Sequence, residues 1–393
     1  MNFSRFRLNE YYSFSFLRAV LCLFAALVIA PSFSFAEPGI SKKRILIGFS
    51  TDLTGISSFN SAKYRKGASL YFDLLNARGG INGRTIKVIY YDDGYEPKVA
   101  YENVKKLIEQ DKVFAIFQNY SSESAAAVLP LIEKHDVPFV MPIASDDIYR
   151  NTLHRNIFNL RLGFSPKMTG LIKYAVQKLG IKQIAIISQD DAYGLGLREA
   201  AVKALKELGL KPVFDGRFPR KNSNLVEVMD DLIRSKAKAV VLAIQSDATT
   251  LLIEEAAKKK FNPVYLGAII YSSPDYYKKI EKYSPTIYFS SSFPIVGPES
   301  KIPVIQEFLS ESKKTGLEAD TQTFEGYFNA KVFAEALRLA GKNPTRNALR
   351  SAFEKMNDLE IGGITVNFSK TSHNGLEKLY IGTFKNGKAV QVN

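Results

Sequence analysis

Cysteine and histidine are scarce in this chain, and their scarcity removes several chemistries at once. The 393 residues include one cysteine, Cys22, and three histidines, His135, His154 and His373. Cys22 lies inside the apolar run "AVLCLFAALVIA" (19–30), without the preceding small residues that a lipid-attachment site needs. The remaining chain has no thiol and no disulfide, so its stability must come from its core. The histidines are not spaced as metal ligands, which argues against a zinc site, and each is expected at the surface or at a helix end. There is no G-x-x-x-x-G-K-[ST] loop for phosphates and no serine in a G-x-S-x-G elbow. "GLGLRE" (194–199) follows a strand and opens a helix, but Glu199 replaces the third glycine of a dinucleotide fingerprint and would repel a pyrophosphate. No cofactor, no metal and no catalytic residue is expected.

What is present is an ordinary globular composition, 46% hydrophobic and 23% charged, at a length that suits two domains. The N-terminus carries Arg5, Arg7 and Arg18, then the apolar run, then Ser34-Phe35-Ala36. This is the layout of a secretory signal with cleavage near Ala36. The run is shorter than the roughly 20 residues of a spanning helix, and Pro31 closes it. Removing residues 1–36 takes away three arginines and one glutamate, lowering the formal charge from +14 to +12. The lysines are spread along helical segments such as "KKLIEQDK" and "AAKKKF", with no basic-aromatic ribbon. They read as solvated helix faces, and no nucleic-acid partner is expected.

From Lys42 onward, short apolar runs alternate with helical stripes. "RILIGFS" (44–50), "RTIKVIYYDD" (84–93), "KVFAIFQ" (112–118) and "VPFVMPI" (137–143) read as strands. Tyr64, Ala68, Tyr71 and Leu75 mark a helix that stops at Gly79-Gly80. A second series follows the junction "FNLRLGFSPK" (158–167). A helix through Met168 and Leu171 precedes the strand "KQIAIISQDD" (182–191). Next come the helix "GLREAAVKALKELGL" (196–210), the strand "KPVFDGRF" (211–218), a helix through Leu225, Met229 and Leu232, and the strands 237–245 and 262–270. This alternation predicts an α/β architecture with parallel sheets and right-handed crossovers. Three helices near the C-terminus precede two strand-like pieces, "GGITVNFS" and "LYIGTF". The economical arrangement returns those helices to the first lobe and those strands to the second. The expected division is residues 41–161 plus 295–357 for lobe 1, and 162–294 plus 358–393 for lobe 2.

Ligands of parallel sheets bind beyond the carboxyl ends of the strands. Six loops there are rich in small polar groups: 50–55, 118–124, 141–147, 188–194, 244–250 and 267–273. In "NYSSES" (119–124), Ser121 is placed to cap a helix whose free N–H groups favour an anion. Pro130 is expected to kink or restart that helix. The pairs Asp92-Asp93 and Asp190-Asp191 end strands, where neighbours point to opposite faces, so turn and cap roles are expected.

These residues resemble the periplasmic substrate-binding proteins of branched-chain amino acid ABC transporters, the leucine/isoleucine/valine-binding type. The resemblance rests on "DLTG", "RKGASLYFDLLNARGGINGRTIKVIYYDD", "SSESAAAVLPLIEKHDVPFVMP", "QDDAYGLGL" and "FEGYFNAKVFAEAL", and it spans essentially the whole chain after residue 36. It implies a two-lobed type I periplasmic binding protein fold with three interlobe crossings. It further implies a ligand carboxylate held at the first lobe by Ser121, with Tyr120 and Ser122 beside it, and by Ile143-Ala144-Ser145, Ser145 replacing a threonine. Asn60 falls where the family often has an aromatic wall. Tyr193 matches a second-lobe tyrosine, and Gln245 falls on another tyrosine position. Ile269 stands where amino-acid binders place the glutamate that pairs with the ligand's ammonium. Either another acid, such as Asp191 or Asp247, takes that role, or the ligand has no α-amino group.

The expected activity is non-catalytic: a monomeric periplasmic receptor that closes about a hinge on a small amino acid or related carboxylate and delivers it to an ABC transporter permease. A ligand sensor for a membrane signalling protein is the alternative.

Overall fold

The computed structural model describes residues 37–219 and 225–393; the expected signal segment lies outside them. Two sheets organise the chain. In the first, β2 (Thr85–Asp92), β1 (Arg44–Thr51), β3 (Ala115–Phe117), β4 (Phe139–Val140) and β5 (Ile157–Phe158) lie side by side in that order, all parallel. Ile47 is in register with Val88 on one side and Ala115 on the other. β1 is buried along both faces except at Arg44, as a strand sandwiched between helices must be.

The second sheet runs β14 (Lys388–Gln391), β13 (Tyr380–Lys385), β10 (Thr286–Ser291), β9 (Val264–Ala268), β8 (Ala239–Ala243), β6 (Ile184–Gln189), β7 (Phe214–Phe218). The strands β6 to β10 are parallel, and β13 and β14 join antiparallel. In both sheets the first strand in sequence has its successor on one side and the third strand on the other. Each sheet therefore has a switch point where a crevice opens beyond the strand ends.

Helix α1 (Ser58–Ala77) ends as expected at Gly79 and Gly80, both at positive φ, with the Gly80 N–H donating to the Leu75 carbonyl at 2.9 Å. Against it lies the long helix Thr321–Leu339, most of whose residues are buried. The two approach so closely that a Cβ on Gly67 would meet the Thr323 carbonyl oxygen at 1.8 Å, and one on Gly326 the Tyr64 oxygen at 2.1 Å. Glycine is required at both positions by contact alone.

The chain passes between the lobes three times: between Phe158 and Phe164, between Ser291 and Pro303, and between Phe368 and Tyr380. The last passage departs from expectation. Among the described residues β12 (Ile364–Val366) pairs only with β11 (Leu359–Ile361), and the ribbon's Ile361, Ile364 and Val366 join the first lobe's core, with the Phe368 ring against Phe158 and Phe353. Of the two expected pieces only "LYIGTF" returns to the second sheet, pairing with β10, and β14 then pairs with it.

Other differences are local. The strands expected over 112–118 and 137–143 shrink to three and two residues, since Gln118 and Met141 have positive φ and bend the chain out of the ladder. The helix expected from 196 begins at Ala192, capped by Asp191. The strand expected over 262–270 stops at Ala268, where Ile269–Tyr271 form a 3₁₀ turn. The helix Ser122–Lys134 runs unbroken through Pro130. His373 is buried, stacked on Phe158 with ring centres 4.1 Å apart, whereas His135 does cap a helix. Among the described residues no helix is long and apolar enough to cross a membrane.

Candidate functional site

At the end of β3 the chain continues through Gln118, Asn119, Tyr120 and Ser121 before the helix starting at Ser122. Main-chain bonds stitch this turn in place: Tyr120 N–H to Ser50 O (3.3 Å), Ser121 N–H to Ile143 O (3.3 Å), and Ile143 N–H to Asn119 O (2.9 Å). Ser121 is forced to φ +86°, a region unfavourable for any side chain-bearing residue. Its Oγ accepts from the Ser124 N–H at 3.1 Å, the expected cap, and its own O–H is left to donate.

A cavity of about 30 Å³ lies between the two sheets at their switch points. From the first lobe Tyr120, Ser121, Ser122, Ile143, Ala144 and Ser145 face it; from the second, Tyr193, Gln245 and Ile269. Nine of the ten expected residues are thus brought together. Asn60 is the exception. It is fully buried beside the cleft, donating to Ser246 Oγ (3.1 Å) and accepting from Gln322 Nε2 (3.3 Å), so it joins elements across the cleft and does not line it. Loop 50–55 is also absent from the wall; its Asp52 accepts from the N–H groups of Gly55 and Ser57.

Several residues were missed from the sequence: Tyr64, Tyr95, Arg161, Phe164 and Lys167, with Ala268 and Ile270 flanking Ile269. Arg161, Phe164 and Lys167 all belong to the junction "FNLRLGFSPK", where buried cations were the available signal. Arg161 makes a two-pronged ion pair with the fully buried Glu325 (2.5 and 3.0 Å) and lies 4.9 Å from the Tyr64 ring centre. Lys167 Nζ donates to Ser145 Oγ at 2.8 Å, and no carboxylate lies within ion-pairing distance of it among the described residues. Burial, reinforced by the charges of Arg161 and Arg150, holds the Lys167 ammonium well below the usual lysine range. Arg150 braces the same loops, donating to the carbonyls of Ala144 (2.7 Å), Asp146 (2.8 Å) and Arg161 (2.8 Å).

The tyrosines form the rest of the wall. The Tyr120 ring lies 6.0 Å from Tyr64 and 6.1 Å from Tyr95, and burial pushes its hydroxyl up to about 12. The buried Tyr193 hydroxyl finds no protein hydrogen-bond partner among the described residues. Gln245 accepts from Ser57 Oγ (2.9 Å) and donates to Tyr95 Oη (2.9 Å), closing the cleft from the second lobe. The acids considered as substitutes at position 269 are elsewhere: Asp191 caps its helix through the Gly194 N–H (2.9 Å), and Asp247 is exposed. The paired aspartates keep structural roles, Asp92 accepting from the N–H groups of Leu53 and Gly94, and Asp93 from the Ser50 hydroxyl and the Tyr95 N–H.

Two lobes joined by three crossings, with a cavity between facing strand ends, define a type I periplasmic binding protein. The chain belongs to the periplasmic binding protein family, whose model matches residues 44–389. It is 25% identical over 316 residues to an amino acid binding protein of Pseudomonas aeruginosa, covering 77% of this chain and 81% of that one. It is 20% identical over 370 residues to Leu/Ile/Val-binding protein homolog 3 of Brucella melitensis, covering 94% and 99%. Its fold matches that of a branched-chain amino acid ABC transporter protein from Thermus thermophilus, solved with bound valine, with a TM-score of 0.80 at 19% identity, over 90% of this chain and 96% of that one.

Proposed function

We propose that this chain is an exported solute receptor for an ABC importer. Residues 1–36 direct export and are removed near Ala36. The monomeric body closes on a small amino acid or related carboxylate and presents the closed form to a membrane permease, without catalysing any reaction. The observation that carries this reading is the cavity lined from both lobes, with Ser121 and Ser145 on the first lobe's wall. A ligand touching both walls favours the closed form because only there are all its contacts made. The relatives' names, which specify amino acids, support the solute class, and the Thermus protein's description supports the ABC importer.

The test is titration calorimetry with branched-chain amino acids and their 2-oxo acids, on the wild type and on the Ser121→Ala/Ser145→Ala double variant. The reading expects binding by the wild type and at least a hundredfold loss in the variant. Equal affinity in both proteins rejects the carboxylate role of the serines.

A further inference from the structure

The cleft is asymmetric in charge. Two basic side chains, Arg161 and Lys167, line it, and among the described residues no aspartate or glutamate does. The neighbouring carboxylates are engaged elsewhere: Glu123 accepts from the Ala192 N–H at 3.1 Å. Both Glu325 oxygens are taken by Arg161. Asp93 holds Ser50 and Tyr95. Asp191 caps a helix, Asp147 binds the N–H and hydroxyl of Ser165, and the Asp146 carboxyl is held by Ser122 with Arg150 beside it. The wall facing the serines is Ala268, Ile269 and Ile270, all buried and without a polar side-chain atom.

The charges do not cancel. Glu325 is paired with Arg161, whereas Lys167 has no ion-pair partner among the described residues, and burial and the charges of Arg161 and Arg150 disfavour its charged form against the weaker pull of Glu325 and Asp147. Lys167 is 3% exposed, and a hydroxyl is its hydrogen-bond partner. A ligand carboxylate beside Ser145 would favour the charged form, whose ammonium has three donors, two of them beyond the Ser145 bond. A carboxylate placed between Ser121 and Ser145 would supply the missing negative charge. An ammonium in the same space would meet Lys167, an Arg161 already paired with Glu325 and an isoleucine wall, and would lose its water without gaining a counter-charge.

On this basis, and resting on the solute-receptor reading above, we infer that the cleft selects an organic acid lacking an ammonium group, with Lys167 and Ser145 taking its carboxylate and the Tyr193 hydroxyl available to a second polar atom. Ile269 is then a specificity-determining residue, since it denies an amine its partner.

Matched pairs test this: leucine against 4-methyl-2-oxopentanoate, phenylalanine against phenylpyruvate, and alanine against pyruvate, each titrated into the purified protein. The amine-free member is expected to bind at least tenfold tighter in whichever pairs bind. An amino acid that binds as well as or better than its 2-oxo acid overturns the inference and leaves the solute-receptor reading standing. Binding of neither member in all three pairs overturns both. Two variants read the residues directly. Lys167→Met is expected to weaken binding of the preferred acid at least tenfold. Ile269→Glu is expected to move the preference at least tenfold toward the amino acid, and an unmoved ratio counts against the role of Ile269.

Discussion

Ser57 Oγ donates a 2.9 Å hydrogen bond to Gln245 Oε1, joining the start of the first lobe's α1 to the end of the second lobe's β8. The same Gln245 side chain reaches Tyr95 Oη with its amide nitrogen, also at 2.9 Å. Both bonds exist only while the lobes touch, so they set part of the balance between open and closed forms.

Gln245→Ala removes both. Each bond contributes about 0.5–1.5 kcal/mol net, so solute affinity should fall about tenfold or more, at about 1.4 kcal/mol per tenfold. Calorimetry measures the affinity, and small-angle scattering should show a larger radius of gyration. An unchanged radius and affinity would show that closure does not depend on this residue.

Ser121 combines a cap with an unfavourable backbone angle, and two substitutions separate them. Ser121→Ala loses the cap and keeps the side chain at φ +86°, costing about 1 kcal/mol or more. Ser121→Gly loses the same bond, but glycine accepts that angle, so the loss should be smaller. Urea unfolding of the two variants decides between them. A glycine variant less stable than the alanine variant would mean that the angle carries no strain.

Arg161 and Glu325 are buried together, and leaving either charge unpaired is costly. Glu325→Gln should destabilise by about 3–5 kcal/mol, whereas Arg161→Met with Glu325→Leu should recover much of that loss. Chemical denaturation of the single and double variants measures it. A double variant no more stable than the single would indicate that packing, and not the unpaired charge, sets the cost.

Asp93 gives a pH signature. Burial pushes its carboxyl up to about 7, against the hydrogen bonds from Ser50 and Tyr95. Its unfolded value is about 3.9. Between these values the folded protein binds the extra proton, so this group's contribution to stability is full below pH ~4 and is lost as pH rises toward 7. Asp93→Asn should therefore gain stability relative to wild type between pH 4.5 and pH 7.5, read from urea midpoints. A constant difference across that range would show that Asp93 does not titrate there.

The elements were largely legible because their causes are local. The buried stretch "RILIGFS", the stripe through Tyr64 to Leu75, the Gly79-Gly80 stop and the Asp191 cap each follow from a period or a cap chemistry acting over a few residues. Misreadings arose where a distant partner decides. Asn60 looked like cleft wall but is claimed by Ser246 and Gln322, 186 and 262 positions away. Ile364–Val366 reads as a strand and is one, but its partner is a three-residue hairpin arm and its side chains belong to the first lobe's core.

By itself, the sequence determined the alternation of strands and helices, the small polar loops at the strand ends, the Ser121 cap and the apolar residue at position 269. Those features depend on side-chain periodicity and backbone chemistry within one turn or one strand. Only the tertiary structure decided that Lys167 meets Ser145, that Arg161 is paired with Glu325, and that no carboxylate among the described residues lines the cleft. These depend on which groups the two lobes bring within a few ångströms, where burial strengthens each charge and makes every missing partner count.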